Sequence, residues 1–304
     1  MGKTVSIASF SESRWRSLLF VPAHLPKFVE KAHGRGADGI VLDLEDSVPW
    51  PSKAQARQRL GDSIAQAGQN GASVLVRVNH GLRALCADLD VSVVAGVDAL
   101  VLPKVESAEW IVEIAQEMLA LERERDVLPG GIRLVAQIET PAALPRLTAI
   151  ASAHSRLIAM ALGPEDFSAA VGGQPTTDLL LGPNLAVLFA ARAAGLVPLG
   201  FVGSIGDFAD IPKFRETVRH SKTLGFAGAL AIHPAQVAVL NEEFAPLPDE
   251  LEWAERVVTA EEEAKAQHLG AFTVDGKMVD PPVIRRARAL LAWGRSIPGD
   301  PRSD

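Results

Sequence analysis

Eight short runs of buried-type residues recur along the chain, separated by polar, helix-like stretches. They fall at 16–22 (RSLLFVP), 38–46 (DGIVLDLED), 73–79 (SVLVRVN), 98–105 (DALVLPKV), 133–140 (RLVAQIET), 156–163 (RLIAMALG), 197–203 (VPLGFVG) and 228–234 (GALAIHP). Several are almost unbroken in apolar residues, the pattern of strands covered on both faces in a parallel sheet. The segments between them, such as 51–68 and 107–121, are amphipathic, and Ser107 with Glu109 behind it suits a helix start. Eight strand–helix units in sequence predict an α/β fold, a (β/α)8 TIM barrel. The alternative is an open doubly wound sheet. That fold usually shows a glycine-rich phosphate turn after its first strand, and FVPAHLPKF is not one.

Beyond residue 245 the alternation stops. A long helical stretch (PDELEWAERVVTAEEEAKAQHLG) leads into AFTVDGKMVDPP, with a turn signal at Asp275–Gly276, and then into a final helix (VIRRARALLAWGR). The expected organisation is a catalytic barrel over 1–245 and a helical lid or oligomerisation extension over 246–304, with the tail SIPGDPRSD frayed.

Composition narrows the function classes. A net charge of −7 over 304 residues, with no basic stripe, argues against a nucleic-acid partner. No run of eighteen apolar residues is present, so no membrane span is expected. The N-terminal stretch lacks an apolar signal core, and Gly2 alone is weak support for lipidation, so the expected location is cytoplasmic. A lone Cys86 excludes an internal disulfide and a cysteine-built metal cluster. With no tyrosine in the chain, no phenol can act as acid or base.

Carboxylates gather at three strand ends: Asp43, Glu45 and Asp46 after the second, Glu139 after the fifth, Glu165 and Asp166 after the sixth. A parallel barrel collects all strand C-termini on one face. Carboxylates brought together there repel unless a cation joins them, which points to an oxygen-liganded metal ion. Glu139 follows the buried-type AQI, where an unpaired charge is costly; an acid favoured by a helix dipole is the simpler reading. Asp166 follows Gly163 and Pro164, and could instead cap a helix. With Glu139 and Asp166 as direct ligands, the ion keeps positions open for water and substrate oxygens, which suits Mg²⁺, or Mn²⁺, better than Zn²⁺. Arg77 near the end of strand three suits a carboxylate or enolate-like oxygen, or a structural ion pair with Asp43 or Glu45. Lys104, ending strand four, reads as charge balance among carboxylates rather than as a Schiff-base lysine. His233 reads equally as a packed, hydrogen-bonded histidine.

These segments, in this order, resemble the citrate lyase β-subunit-like and malyl-CoA lyase group of the HpcH/HpaI aldolase superfamily. The matching motifs are RSLLFVP, GIVLDLEDSV, VRVN, LPKVES, QIETPAAL, LGPEDFSAAVGG, AIHPAQV and DGKMVDPP, and they span most of the chain. The resemblance implies a barrel with a C-terminal lid, assembled as a homotrimer or homohexamer. It implies Mg²⁺ held by Glu139 and Asp166, with Glu45 and Asp46 acting through metal-bound waters. Arg77 would bind the substrate's oxygens, and the backbone around Gly163, Pro164 and Glu165 would take a carboxylate. Phe20, Lys31, Ile232 and His233 match positions that contact the CoA thioester, and Asp280 matches an acid delivered from the adjacent subunit's lid. The implied reaction is Mg²⁺-dependent cleavage or formation of a 3-hydroxyacyl-CoA-type thioester, giving acetyl-CoA and a small 2-oxo acid, with CoA or an acyl carrier presenting the acyl group.

The first loop departs from the group's pattern. Ala23 and Leu25 stand where a glycine and an arginine are usual, which leaves His24 or Lys27 for a CoA phosphate. Strand seven lacks an acid that many relatives carry, and SIGDFAD after it could reshape the acyl pocket. Two other functions stay open: a class II aldolase on the same barrel and Mg²⁺ site acting on a free 4-hydroxy-2-oxo acid, against which the lid with Asp280 and the LDLEDSV motif argue, and a citrate lyase complex β-subunit or non-catalytic oxo-acid binder.

Overall fold

The computed structural model describes residues 15–206, 208–266 and 271–295. The expectations for Gly2 and for the tail 296–304 lie outside them. The described residues fall into two compact units, divided between Phe244 and Ala245.

The first unit is an all-parallel, eight-stranded sheet: β1 (Ser17–Pro22), β2 (Gly39–Asp43), β3 (Ser73–Arg77), β4 (Ala99–Leu102), β5 (Arg133–Ile138), β6 (Leu157–Leu162), β7 (Val197–Leu199) and β8 (Ala229–Ala231). The strand order runs from β7 through β1 to β8. A parallel bridge between Leu199 and Gly228, with Gly200 N–H donating to Gly228 O at 2.8 Å, closes the ring. Each strand is shorter than its apolar run, because the residues after it turn out of the sheet and carry the polar groups. Gly228 is required where the ring closes: a Cβ there would stand 1.7 Å from the Trp15 carbonyl oxygen.

Alternate residues of the strands point into the barrel. Leu18, Val41, Leu75, Val101, Val135 and Leu199 fill it, with Ala99, Ala159 and Ala161 making room for the larger neighbours. The interior is therefore a packed core, and chemistry is confined to the rim. The helices cover the outside. Ala108–Glu124 begins as expected, with Ser107 Oγ accepting from Trp110 N–H at 3.3 Å. The stretch 51–68 is broken instead, into a 3₁₀ turn (Trp50–Ser52) and two short helices, Lys53–Gln58 and Leu60–Ala67.

The second unit packs the helix Pro248–Ala266 against the helix Pro281–Gly294, with a hairpin of Phe272–Val274 and Lys277–Val279 between them. Asp275 and Gly276 both have positive φ, 49° and 73°, the turn that a two-residue hairpin favours. No helix among the described residues is long and apolar enough to cross a membrane.

Candidate active site

The sheet register builds the first part of the site. Asp43 and Arg77 are paired across β2 and β3, on the face that points into the barrel mouth. Arg77 grips the Asp43 carboxylate with a two-point fork, Nε to Oδ1 at 2.7 Å and Nη2 to Oδ2 at 2.6 Å, and its Nη1 lies 3.3 Å from Glu45 Oε2. The Phe20 ring lies beneath the guanidinium, 4.5 Å from Cζ. Asp43 is fully buried and also accepts from the amides of Glu45 and Ser47. Burial pushes its carboxyl up, but the Arg77 fork outweighs this and holds it below the ordinary carboxylate range. Asp43 is thus the fixed partner of Arg77. Arg77 also faces Glu45 and the barrel mouth, so the structural and substrate-facing readings coexist in one side chain.

Glu139 and Asp166 come from the ends of β5 and β6. Glu139 is 3% exposed, and its Oε2 accepts from the backbone amide of Lys104 at 2.8 Å. Burial, together with the nearby Glu45 and Asp166 carboxylates, raises its pKa to about 7 against the pull of Arg77 and Lys104. Gly163 makes the space: a Cβ there would stand 2.5 Å from Glu139 Cγ and 2.6 Å from its Oε1. Lys104 Nζ lies 2.6 Å from Glu45 Oε1, 3.4 Å from Asp166 Oδ2 and 3.7 Å from Asp46 Oδ2. Burial lowers the lysine's pKa, but Glu45 above all, with Asp46 and Glu139, more than compensates and holds it well above its usual value. Burial also raises Glu45, which Arg77 and Lys104 only partly offset.

This donor set fits a magnesium ion. A buried carboxylate that resists ionisation without a cation stands beside a half-exposed one, with a glycine cradle between them. No group of three or more His, Cys, Asp or Glu side chains among the described residues is arranged to hold a metal. A closed all-protein cage is therefore absent there. A two-carboxylate site suits an ion that keeps several waters.

The other expected residues are placed less centrally. Gly163 N–H already donates to Ile138 O at 2.8 Å, and Pro164 has no N–H. Within 163–166 the amides left for an arriving carboxylate are therefore those of Glu165 and Asp166. The Glu165 side chain accepts from Ser204 Oγ at 2.5 Å and so ties the loop after β7 to the β6 end. Ile232 is 43% exposed, and the His233 ring stacks on Phe208 with centroids 4.6 Å apart. The amides of Ile232 and His233 both donate to Gln236 Oε1, while Gln236 Nε2 donates to Ile205 O, so one buried glutamine joins the loops after β7 and β8. Lys31 is exposed in the last turn of the helix Pro26–Ala32. Asp280 belongs to the second unit, where its Oδ1 accepts from Val283 N–H at 3.3 Å and caps the final helix.

One supporting network escaped the sequence reading. Lys53 Nζ donates to the carbonyls of Leu44 and Glu45 at 2.7 and 2.8 Å, and Asn79 Nδ2 donates to the Leu44 carbonyl at 2.9 Å. Asp88, itself held by Arg57, accepts from both the amide and the side chain of Asn79. The loop bearing Glu45 and Asp46 is thereby pinned from below. A lysine within an amphipathic helix reads as a solvent-facing residue, so nothing in the local pattern marks Lys53.

A parallel barrel with this acidic rim defines a class of metal-assisted enzymes, and comparison with known proteins specifies it. Residues 16–234 match HpcH/HpaI aldolase/citrate lyase. The chain is 36% identical to citrate lyase subunit beta of Escherichia coli (strain K12), over 91% of this chain and 92% of that one. It is 35% identical to a (3S)-malyl-CoA thioesterase of Cereibacter sphaeroides, over 93% and 95%. Among solved structures it is similar to CitE from Mycobacterium tuberculosis in complex with magnesium, acetoacetate and coenzyme A, at 29% identity and a TM-score of 0.70, covering 91% and 97% of the two chains. The chain belongs to the HpcH/HpaI aldolase/citrate lyase family.

Proposed function

We propose that this chain is a magnesium-dependent carbon–carbon lyase, cleaving or forming a 3-hydroxyacyl thioester of coenzyme A to give acetyl-CoA and a 2-oxo acid. The observation that carries the reading is the pair Glu139 and Asp166, opened by Gly163 and flanked by Arg77, on a rim whose relatives include a structure with magnesium and coenzyme A.

Glu139 and Asp166 would hold the ion, with Glu45 and Asp46 in reach of its waters. When bound, Mg²⁺ supplies Lewis-acid polarisation of the oxo-acid carbonyl. Arg77, locked at one edge by Asp43, keeps its orientation without reorganising and offers its remaining face to the charge that develops on substrate oxygen. The amides of Glu165 and Asp166 would take the oxo-acid carboxylate. In the cleavage direction the substrate hydroxyl would give its proton to solvent water, the bond between the carbinol carbon and the acetyl carbon would break, and its electron pair would pass into the thioester enolate. Asp280 of an adjacent subunit's lid is the residue proposed to return a proton to that acetyl carbon, and to remove it in synthesis. Phe20, Lys31, Ile232 and His233 are the proposed thioester contacts. Assembly as a homotrimer or homohexamer in the cytoplasm goes with this reading.

The test is an assay of malyl, citramalyl and citryl thioesters with Mg²⁺, beside free 4-hydroxy-2-oxo acids. Both the acetyl-CoA plus oxo-acid pair and the free CoA plus hydroxy-acid pair are monitored. Acetyl-CoA and an oxo acid, lost in Glu139→Ala and Asp166→Ala, are expected. Turnover of free acids alone would make the chain a class II aldolase, and release of CoA with an intact hydroxy acid would make it a thioesterase. Activity that survives complete chelation of the ion would overturn the metal reading.

A further inference from the structure

We propose that Lys104 is the resident cation of the carboxylate cluster: its ammonium stands among Glu45, Asp46 and Asp166 when no metal is bound, and gives way when Mg²⁺ arrives. The inference rests on the reading of Glu139 and Asp166 as the ligands.

Three observations converge on this one residue. Its backbone has φ of 53°, left-handed, which a residue with a Cβ rarely adopts. That conformation aims its amide at Glu139 Oε2, 2.8 Å away. Its ammonium meanwhile reaches Glu45 at 2.6 Å and Asp166 at 3.4 Å. A single residue thus touches both proposed ligands, one through its main chain and the other through its side chain. Strained backbone held in place by its surroundings is characteristic of functional positions.

The two cations of the rim differ in what they can do. Arg77 is 12% exposed and locked by a two-point fork to a fully buried carboxylate, so it cannot leave without stranding Asp43. Lys104 is 31% exposed on a flexible four-carbon stem, and its bond to Asp166 is long. It is free to withdraw toward solvent while its amide stays on Glu139. An ammonium and a divalent ion cannot both sit within contact of Asp166 without strong repulsion, so ion loading has to displace Nζ from that carboxylate. Without the ammonium, Glu45, Asp46 and Asp166 would have only the Arg77 contact to Glu45, 3.3 Å at Nη1, to set against their mutual repulsion.

Removing the positive charge should therefore have two opposite effects. The metal-free protein loses stability, because the cluster repels itself, and magnesium binds more tightly, because nothing is displaced. A residue that only orients the ligands would weaken both, and a bystander would change neither. The experiment uses the full chain and three variants. Lys104→Met removes the charge and keeps the stem. Lys104→Gly removes the ammonium but suits the left-handed backbone, so the amide on Glu139 remains. Lys104→Arg restores a positive charge. Magnesium affinity is measured by calorimetric titration, and the melting temperature in EDTA. For Lys104→Met and Lys104→Gly we expect a lower melting temperature in EDTA and a magnesium Kd smaller by roughly tenfold, with Lys104→Arg close to the parent in both. Unchanged or weaker magnesium binding in Lys104→Gly, with the parent binding normally, would overturn the proposal and leave the ligand assignment standing. A parent chain that binds no magnesium, or a Glu139→Gln variant that binds as well as the parent, would overturn both.

Discussion

Replacing Glu139 by glutamine should stabilise the metal-free protein while abolishing its response to magnesium. In the folded chain this carboxyl holds its proton up to about pH 7, whereas an ordinary glutamate releases it near 4.5. Between those values the folded state binds the extra proton, so stability falls as pH rises through the window and the full cost is present above about 7. The difference corresponds to at most about 3 kcal/mol. Glutamine has no charge to desolvate, and its carbonyl oxygen can still accept the Lys104 amide. In EDTA at pH 8, Glu139→Gln should melt above the parent by up to roughly 6 °C, and near pH 4.5 the two should coincide. Saturating magnesium should reverse the order. The parent gains about 4.1 kcal/mol at a thousandfold excess of ion over Kd, more than the roughly 3 kcal/mol by which the variant leads, and the variant gains nothing. Thermal melts from pH 4.5 to 8, with EDTA or magnesium, read all four conditions. A Glu139→Gln protein less stable than the parent in EDTA at pH 8 would refute the claim that burial and neighbouring carboxylates burden this group.

Further outcomes follow from individual contacts. Gly163→Ala would force its Cβ to within 2.6 Å of Glu139 Oε1; magnesium affinity by titration should fall at least about tenfold, because ligand placement is lost before the fold is. Arg77→Met leaves Asp43 fully buried without its partner; urea unfolding should show a loss of about 3–5 kcal/mol, along with turnover. Asp280→Asn keeps a good helix cap. It should cut kcat sharply while magnesium affinity and melting temperature stay near the parent's, and an unchanged kcat would remove Asp280 from the chemistry.

The fold was legible because eight doubly covered strands leave a strong mark, runs such as GIVLDL and RLIAMAL that suit little else. Two of the strand ends were legible for the same reason: Asp43 and Glu139 interrupt apolar runs where burial would make an unpartnered charge costly. What could not be read was pairing. Whether Arg77 meets Asp43 or Glu45 depends on the β2–β3 register, and the register places it directly opposite Asp43. The backbone of Lys104 was hidden too, since a left-handed residue is normally announced by glycine or asparagine and here it is a lysine after Pro103. Nor does a sequence show that the Gly163 amide is spent on Ile138 while the space above it belongs to Glu139.

Charge accounting on the rim explains why ion and substrate cannot be treated as independent ligands. Arg77 and Asp43 cancel one another through their fork. In net charge that leaves Glu45, Asp46, Glu139 and Asp166 against the ammonium of Lys104, with Arg77 still 3.3 Å from Glu45 through Nη1. When all are ionised the remaining cluster is strongly negative, and Glu139 relieves the excess by keeping its proton near neutral pH. A 2-oxo acid is itself an anion and gains nothing from approaching such a surface. A divalent cation held, as proposed, by Glu139 and Asp166 would change the sign of that encounter, because it would favour ionisation of Glu139 and give the oxo-acid carboxylate a positive partner. On the proposed reading metal would load before the oxo acid, and oxo-acid affinity measured in EDTA should be far weaker than in magnesium. The supports beneath the cluster, Lys53 on the Leu44 and Glu45 carbonyls and Gly163 under Glu139, hold like charges at short range until that ion arrives.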